Sequence, residues 1–486
     1  MRTLVRILSL GLLGLAPSLA RGQAAPATPS RPQPTRCTFS SDRFRSDSIP
    51  GSGQVVFWGG NVTIKCPERG ITIRGDSGEQ YPDRDQVLGH AIYDEPRFHV
   101  TSDYLTYFTT QDHINASGNV NAKLPSGSTL VGPVADFFRA DPKAKIRTRQ
   151  QVTAKARPTI TVVEKDSAGK PMPPMTVIAD QVQMDGDSLI YGWGQVVINR
   201  PELSATADSA FVDQGKETVR LMRGPKIVGK KDRPFTLQGD VIDMYAKNRK
   251  LQRVLARSHA VAVSDSMTLR SDTIDLRVTN DQLQHAYAWG KTSRARAVSP
   301  SQNLVADSLD VLMPGQKIRL LRAVHNALAM GKPDTTKFAV EKGDSTDWLR
   351  GDTIIALFDT LLQKDTSKTP NIKQLFATGH AKSFYHMAAS DTAERRPAIN
   401  SVSARLITIN FDVVDSAGKS QQRVSTVTAT DSVVGYYIEP QADSTARKAK
   451  AASATKAGAK PGDKTPAKPG TTPPATPPVT PKRPPL

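Results

Sequence analysis

The residues of this chain that could support chemistry are eight histidines, two cysteines and a series of recurring aspartates. The histidines show neither the H-E-x-x-H spacing of zinc proteases nor an H-x-H pair. No G-x-S-x-G nucleophile turn and no phosphate-binding loop occurs. His259 and His380 fall in a polar position of a repeated phrase, so we expect them to face solvent. The sequence thus predicts no enzyme, no metal site and no cofactor.

The aspartates mark a repeat, because each opens a stretch in which apolar residues alternate with others, as in S-D-Y-L-T-Y and G-D-V-I-D-M. The clear members of this series are Asp103, Asp136, Asp180, Asp208, Asp240, Asp272, Asp307 and Asp352, with weaker copies at Asp42 and Asp76. A ladder of calcium ligands or of catalytic acids is one interpretation. The structural interpretation is favoured, since aspartate bonds backbone groups at turns and strand starts.

The alternation after each aspartate has a period of two, which predicts a β-strand with one buried face. A second phrase, A-S-G-N-V-N-A at 116–122 and its relatives W-G-G-N-V-T-I and G-W-G-Q-V-V-I, predicts a second strand per repeat. Its glycine indicates a bend, a bulge or a lined groove. From the two phrases we predict nine inward residues: Leu105, Val120, Phe138, Val182, Val196, Ile242, Ile274, Leu309 and Ile354.

The two ends of the chain differ from the repeat array. Residues 1–24 place two arginines before a short apolar run and small residues, which is typical of a cleaved secretory signal. Residues 25–37 are predicted to be a linker. Residues 441–486 are rich in lysine, proline and alanine, which predicts a disordered tail and supplies much of the formal net charge of +19. Because the charge is concentrated there, it does not indicate a nucleic-acid partner. In an exported protein the pair Cys37 and Cys66 predicts a disulfide more readily than a metal site.

The aspartate-opened strands and the A-x-G-N-V phrase resemble the OstA-like domain of periplasmic lipopolysaccharide-transport proteins, over residues 38–440. The resemblance implies an all-β fold, an elongated, repeat-built open β-jellyroll or β-taco with two facing antiparallel sheets, in one unit or several consecutive ones. It also implies an apolar groove for lipid acyl chains, lined by the nine inward residues. Partners would be lipopolysaccharide or another acylated glycolipid, and other transport proteins joined edge to edge or a second copy joined head to tail.

The predicted function is therefore periplasmic shielding of lipopolysaccharide acyl chains during outer-membrane biogenesis. The chain is longer than the usual bridge unit of that family and ends in the basic tail. Two other classes stay open from the residues alone. One is an exported β-helix that binds or cleaves polysaccharide, and the other is a cell-envelope scaffold. For each single inward residue, simple packing of the sheets is as good an explanation as a lipid groove.

Overall fold

The structure is a computed structural model that describes residues 37–440 except 97, 141–146, 164, 166–168, 187, 231–234, 265–266, 281, 300–301, 334–337, 341–345, 360–370, 390–395 and 417–418. The predicted signal, nearly all of the linker and the predicted tail lie outside these residues. The described chain is all-β, with two short 3₁₀ turns at Pro67–Arg69 and Pro314–Gln316. Its strands pair in antiparallel ladders. The all-β fold class is thereby confirmed, and a β-helix, whose strands are parallel, is ruled out.

The chain divides into two compact units, of which unit 1 holds residues up to Ser258 with 278–281, and unit 2 holds His259–Arg277 and the residues from Gln282 onward. The strands of unit 1 are β1 Thr38–Ser40, β2 Arg43–Ile49, β3 Gly53–Cys66, β4 Ile71–Gln80, β5 Arg84–Glu95, β6 Phe98–Phe108, β7 His113–Lys123, β8 Thr129–Phe138, β9 Gln151–Lys155, β10 Thr159–Val162, β11 Met175–Ile178, β12 Gln181–Asp185, β13 Leu189–Asn199, β14 Leu203–Asp213, β15 Thr218–Met222, β16 Lys226–Gly229, β17 Phe235–Gln238 and β18 Val241–Lys247. The unit boundary falls within β19 Lys250–Ser264 and β20 Thr268–Thr279. The strands of unit 2 are β21 Gln282–Trp289, β22 Ala295–Val298, β23 Gln302–Ala306, β24 Ser308–Leu312, β25 Leu320–Gly331, β26 Asp347–Phe358, β27 Ile372–Met387, β28 Ala398–Ser416, β29 Lys419–Thr430 and β30 Val434–Ile438.

The repeated aspartate and glycine build a corner at which each long strand bends. In β7, Gly118 and Asn119 both have positive φ, and they add one extra residue opposite β6. Asn119 Nδ2 donates a hydrogen bond of 2.9 Å to Asp103 Oδ2. A Cβ on Gly118 would lie 2.4 Å from that oxygen, so the carboxylate occupies the space that any other residue would need. The corner is thus a β-bulge that requires glycine.

The same corner recurs along the chain, which explains the repeated phrase. The other glycines whose Cβ would collide with the matching aspartate carboxylate are Gly60 with Asp42, Gly89 with Asp76, Gly194 with Asp180, Gly290 with Asp272 and Gly379 with Asp352. His90 and His380 take the place of Asn119, and their Nδ1 atoms lie 2.8 Å and 3.1 Å from the aspartate oxygens. His380 is 90% exposed, as the sequence predicts.

In unit 1 the corners divide the bent strands into two facing sheets. Sheet I contains the segments 62–66, 71–75, 91–95, 98–102, 120–123, 129–132, 196–199 and 203–206, with β1, β10, β11, β16 and β17. Sheet II contains the segments 53–59, 77–80, 84–88, 104–108, 113–117, 134–138, 189–193, 209–213 and 250–257, with β2, β9, β12, β15 and β18. Phe98 of sheet I contacts Phe137 of sheet II, with ring centroids 4.7 Å apart.

One predicted inward residue is misplaced by the aspartate pattern. In β8 the residue opposite Gly118 and Asn119 is Pro133, so Asp136 does not occupy a corner. Asp136 instead accepts hydrogen bonds from His113 and Asn115. Counting from Pro133, the inward positions are Ala135 and Phe137, which are at most 2% exposed. The prediction that Phe138 faces inward is therefore wrong, because Phe138 lies on the outer face and stacks on the His113 ring at 4.1 Å.

Candidate functional site

The interior of unit 1 is formed where the inward columns of sheets I and II meet. Five predicted residues line it, and each is at most 1% exposed: Leu105, Val182 and Ile242 from sheet II, and Val120 and Val196 from sheet I. The next inward residues along the sheet II strands, one inward position farther from the corner, are also buried. They include Tyr107, Met184, Val212 and Met244. The remaining three predicted residues, Ile274, Leu309 and Ile354, are buried within unit 2 and are also at most 1% exposed.

Opposite the corners of unit 1 lies an edge that we call the mouth, where the turns that end sheet I face those that end sheet II. The sheet I side includes the turn 67–70 and the end of β5, and the sheet II side includes the turn 109–112 and Arg139, which follows β8. Because the long strands continue through the corners, backbone ladders join the two sheets there. At the mouth, among the residues that the structure describes, side chains make the contacts between the sheet I side and the sheet II side.

Six residues form a polar clasp across the mouth: Arg69, Tyr93, Glu95, Tyr107, Asp112 and Arg139. Arg69 Nη1, from a sheet I turn, donates to Tyr107 Oη at 2.7 Å and to Asp112 Oδ1 at 3.2 Å, both on the sheet II side. Tyr107 Oη donates to the same Asp112 oxygen at 3.0 Å. Arg139, from the sheet II side, donates to Tyr93 Oη at 3.1 Å and forms an ion pair with Glu95.

Burial fixes the protonation of the clasp tyrosines. Both rings are at most 2% exposed, with only their hydroxyls reaching the clasp. Burial raises the pKa of Tyr107 to about 12, with the Asp112 charge adding to the effect. Burial, and then the Glu95 charge, also raises the pKa of Tyr93. Each hydroxyl therefore stays protonated at neutral pH, accepts from an arginine and donates to a carboxylate.

A cleft opens at the mouth farther along unit 1, between β11 and β19. It is a shallow opening with a cavity volume of about 40 Å³, which is room for a few water molecules. Its walls come from both sheets, with Met175, Ile198 and Leu203 in sheet I and Val219 and Met244 in sheet II. Val219 and Leu251 are only half-buried, although they belong to inward columns, because they face this open space.

The inward side chains nearest the mouth differ between the clasp and the cleft. Tyr107 and Phe137 fill the inward position nearest the mouth in β6 and β8. The corresponding positions of β14 and β18 hold Val212 and Met244, which line the cleft.

The lip of the cleft is charged on both sides. Arg200 Nε lies 3.1 Å from Glu202 Oε1 on the sheet I side. Arg249 Nε lies 3.8 Å from Glu217 Oε1 on the sheet II side, and Arg249 Nη1 donates to the Gln214 carbonyl at 2.8 Å. The two ion pairs thus border an apolar floor on its sheet I and sheet II sides.

Cys37 and Cys66 form a disulfide whose Cα atoms are 4.2 Å apart, tying the start of β1 to the end of β3. Within the described ranges no group of three or more histidine, cysteine, aspartate or glutamate side chains is placed to hold a metal ion. None of the described helices is long and apolar enough to cross a membrane.

These features define an all-β protein of bent antiparallel strands, with a buried apolar interior and a charged mouth. No protein-family model matches the chain, and no curated protein matches it. Among solved structures it is similar to LptH of Pseudomonas aeruginosa, described as the LptA-homologous periplasmic component of the lipopolysaccharide transport device. That alignment has 18% sequence identity, covers 26% of this chain and 94% of LptH, and has a TM-score of 0.23.

Proposed function

We propose that the chain is a periplasmic lipid carrier that holds the acyl chains of lipopolysaccharide, or of another acylated glycolipid, between the two sheets of unit 1. The observation that carries this proposal is the continuous apolar interior between sheets I and II, which the apolar walls of the cleft border at the mouth. The recurring aspartate and glycine phrases, which resemble those of lipopolysaccharide-transport proteins, support the same ligand class.

The mechanism is binding without bond making or breaking. Each methylene that leaves water for the interior contributes about 0.8 kcal/mol, so a long acyl chain supplies ample affinity. The side chains that line the interior are buried, so the sheets must part for an acyl chain to pass between them. Parting at the mouth breaks side-chain contacts only, whereas parting at the corners would break backbone ladders.

The direct test is mass spectrometry of lipid that co-purifies with the mature protein from periplasm. A photo-crosslinking amino acid at Val219, in the cleft, should capture acylated glycolipid. The same group at Val131, which is 50% exposed on the outer face of β8, is the matched control and should capture little. A folded protein that carries no lipid and crosslinks to none at either position would overturn the proposal and favour a scaffold function.

A further inference from the structure

The outer face of one sheet in unit 2 carries four basic side chains in a single row. This sheet, which we call sheet III, contains in order the segment 268–270, β22, β23 and the segments 327–331, 347–350, 381–387 and 398–403, ending with β30. Arg270 lies directly opposite Arg296, and Arg350 lies directly opposite Lys382. These four residues, here called the basic row, are all exposed.

The basic row places like charges against each other. Residues directly opposite in a ladder have Cβ atoms about 5 Å apart, and two like charges there destabilise the sheet. On the outer face of sheet I, by contrast, Arg74 forms an ion pair with Asp94. No carboxylate among the described residues lies within ion-pair distance of the basic row. An anion from outside the chain would therefore relieve the repulsion.

The carboxylates nearest to the basic row already have partners outside it. These are the three corner aspartates of sheet III and the aspartate that begins β26. Their partners are the backbone N–H groups of Thr292 and Ser293 for Asp272, Arg294 for Asp307, His380 for Asp352 and His386 for Asp347. The basic row thus keeps its positive charge for another partner.

An apolar row runs beside the basic row on the same outer face. It consists of Met330, Trp348 and Phe384, which lie opposite one another on three successive strands. The Trp348 and Phe384 rings are stacked with their centroids 5.9 Å apart, and all three side chains are half-buried. One face therefore presents cations and aromatic rings side by side.

The width of the basic row limits what can occupy it. Five strand spacings separate its first and last members, which is about 24 Å. A single small anion cannot span that distance. An anionic bilayer presents many phosphate groups across it, which suit arginine and lysine, and its interface accepts tryptophan and other aromatic rings at the level of the headgroups.

We infer that this outer face of sheet III docks on the surface of an anionic bilayer, with the basic row at the lipid phosphates and the apolar row at the headgroup level. Such a surface goes beyond lipid carriage, since it belongs to unit 2 and does not depend on what the interior of unit 1 binds.

The first test is cosedimentation of the full mature protein with vesicles of phosphatidylglycerol and phosphatidylcholine. The double variant Arg350→Glu with Lys382→Glu should bind about tenfold or more weakly, because two attractive charges become repulsive. The matched control is Lys65→Glu with Lys226→Glu, which makes the same change of charge at exposed positions on the outer face of sheet I. The control should bind within about twofold of wild type.

The second test asks whether the apolar row reaches the lipid. Brominated phospholipid in the same vesicles should quench the tryptophan fluorescence of wild type, and Trp348→Phe should remove most of the quenched signal. Trp193→Phe is the control, since Trp193 is 41% exposed on the outer face of sheet II, and it should leave the quenched signal unchanged.

Vesicle binding that the Arg350→Glu and Lys382→Glu pair leaves unchanged would overturn the docking face and assign the contact to another part of the chain. An equal loss in the lysine control would reduce the effect to overall charge and also refute it. Quenching that persists in Trp348→Phe, or a wild type that binds no vesicles, would overturn it as well, and the first of these with the charge effect intact would indicate a soluble polyanion. Circular dichroism establishes that each variant is folded.

Discussion

Gly118, with φ +72°, lies directly against the Asp103 carboxylate, and this contact sets the bend of β7. Gly118→Ala places a Cβ 2.4 Å from Asp103 Oδ2 and also imposes a left-handed conformation on a residue with a side chain. We expect the free energy of unfolding to fall by about 2–4 kcal/mol, since left-handed strain and a backbone shift both contribute. Urea unfolding followed by circular dichroism measures the change.

Gly127→Ala is the matched control, because Gly127 has φ +84° but a Cβ there would meet nothing within 4 Å. This variant should lower the free energy of unfolding only through left-handed backbone strain, by about 1 kcal/mol. Equal losses in the two variants would show that the carboxylate does not demand glycine at the corner.

Asp85, which is 4% exposed at the start of β5, makes unit 1 sensitive to pH. Burial raises its pKa to about 6, and a hydrogen bond from Gln80 Nε2 offsets part of that effect. The folded state therefore binds this proton more tightly than the unfolded state, so its stabilising contribution is present below about pH 4 and is lost as pH rises through 6. The free energy of unfolding falls by at most roughly 3 kcal/mol over this pH range.

Asp85→Asn removes the titration and keeps an oxygen for Gln80. The variant should be more stable than wild type at pH 7.5, and its advantage should shrink at pH 4.5 and shrink further toward pH 3.5, by urea unfolding at these pH values. A difference that does not change between these pH values would rule out Asp85 as the titrating group.

The strands and their inward faces were predictable because each repeats a period-two pattern in the chain. Val182, Ile242 and Val196 follow their corner residues at a fixed distance, so counting from the motif places them correctly. Phe138 was misplaced because a proline, Pro133, holds the corner position in β8, and the pattern offers Asp136 instead.

The clasp and the cleft could not be predicted, because both depend on which turns face each other across the mouth. Arg69, Asp112 and Arg139 lie in turns or at a strand end, outside the alternating pattern. They meet only once the strands bend at the corners. The replacement of aromatic by aliphatic residues at Val212 and Met244 is visible in the sequence, but it indicates a cavity only when the opposing sheet is known.

At the scale of whole elements, the clasp should stabilise the pairing of sheets I and II. Arg139→Ala leaves the Glu95 carboxylate, whose side chain is 15% exposed, and the Tyr93 hydroxyl without their arginine partner. We expect a loss of about 1–3 kcal/mol in the free energy of unfolding. Thermal and urea unfolding of the mature protein measure it.

Arg74→Ala is the control for that prediction, because Arg74 pairs with Asp94 on the surface with side-chain exposures of 52% and 32%. An exposed pair of this kind contributes about 0–1 kcal/mol. A double-mutant cycle of Arg139→Ala with Glu95→Gln then isolates the coupling across the mouth, and a coupling near zero would contradict the clasp.

At the scale of the whole molecule, two of the described strands, β2 near the start of the chain and β30 near its end, are edges with exposed apolar side chains. In unit 1, β2 pairs with β3, and Phe44 is 70% exposed. In unit 2, β30 pairs with β28, and Tyr436 and Ile438 are 65% and 54% exposed. The outer backbone groups of an exposed edge strand can form hydrogen bonds with a strand of a partner and so continue the ladder. Head-to-tail association of two copies would cover one edge of each type.

Tyr436→Lys and Phe44→Lys should each weaken self-association by about tenfold or more, because a lysine on an edge opposes strand addition. Sedimentation velocity over a range of protein concentrations gives the association constant. Tyr104→Lys is the control, since Tyr104 is 55% exposed but lies on β6, which is paired on both sides with β5 and β7. A wild-type protein that stays monomeric throughout that range would exclude head-to-tail pairing and leave the two edges to other partners, whereas equal weakening by Tyr104→Lys would assign the association to the sheet face.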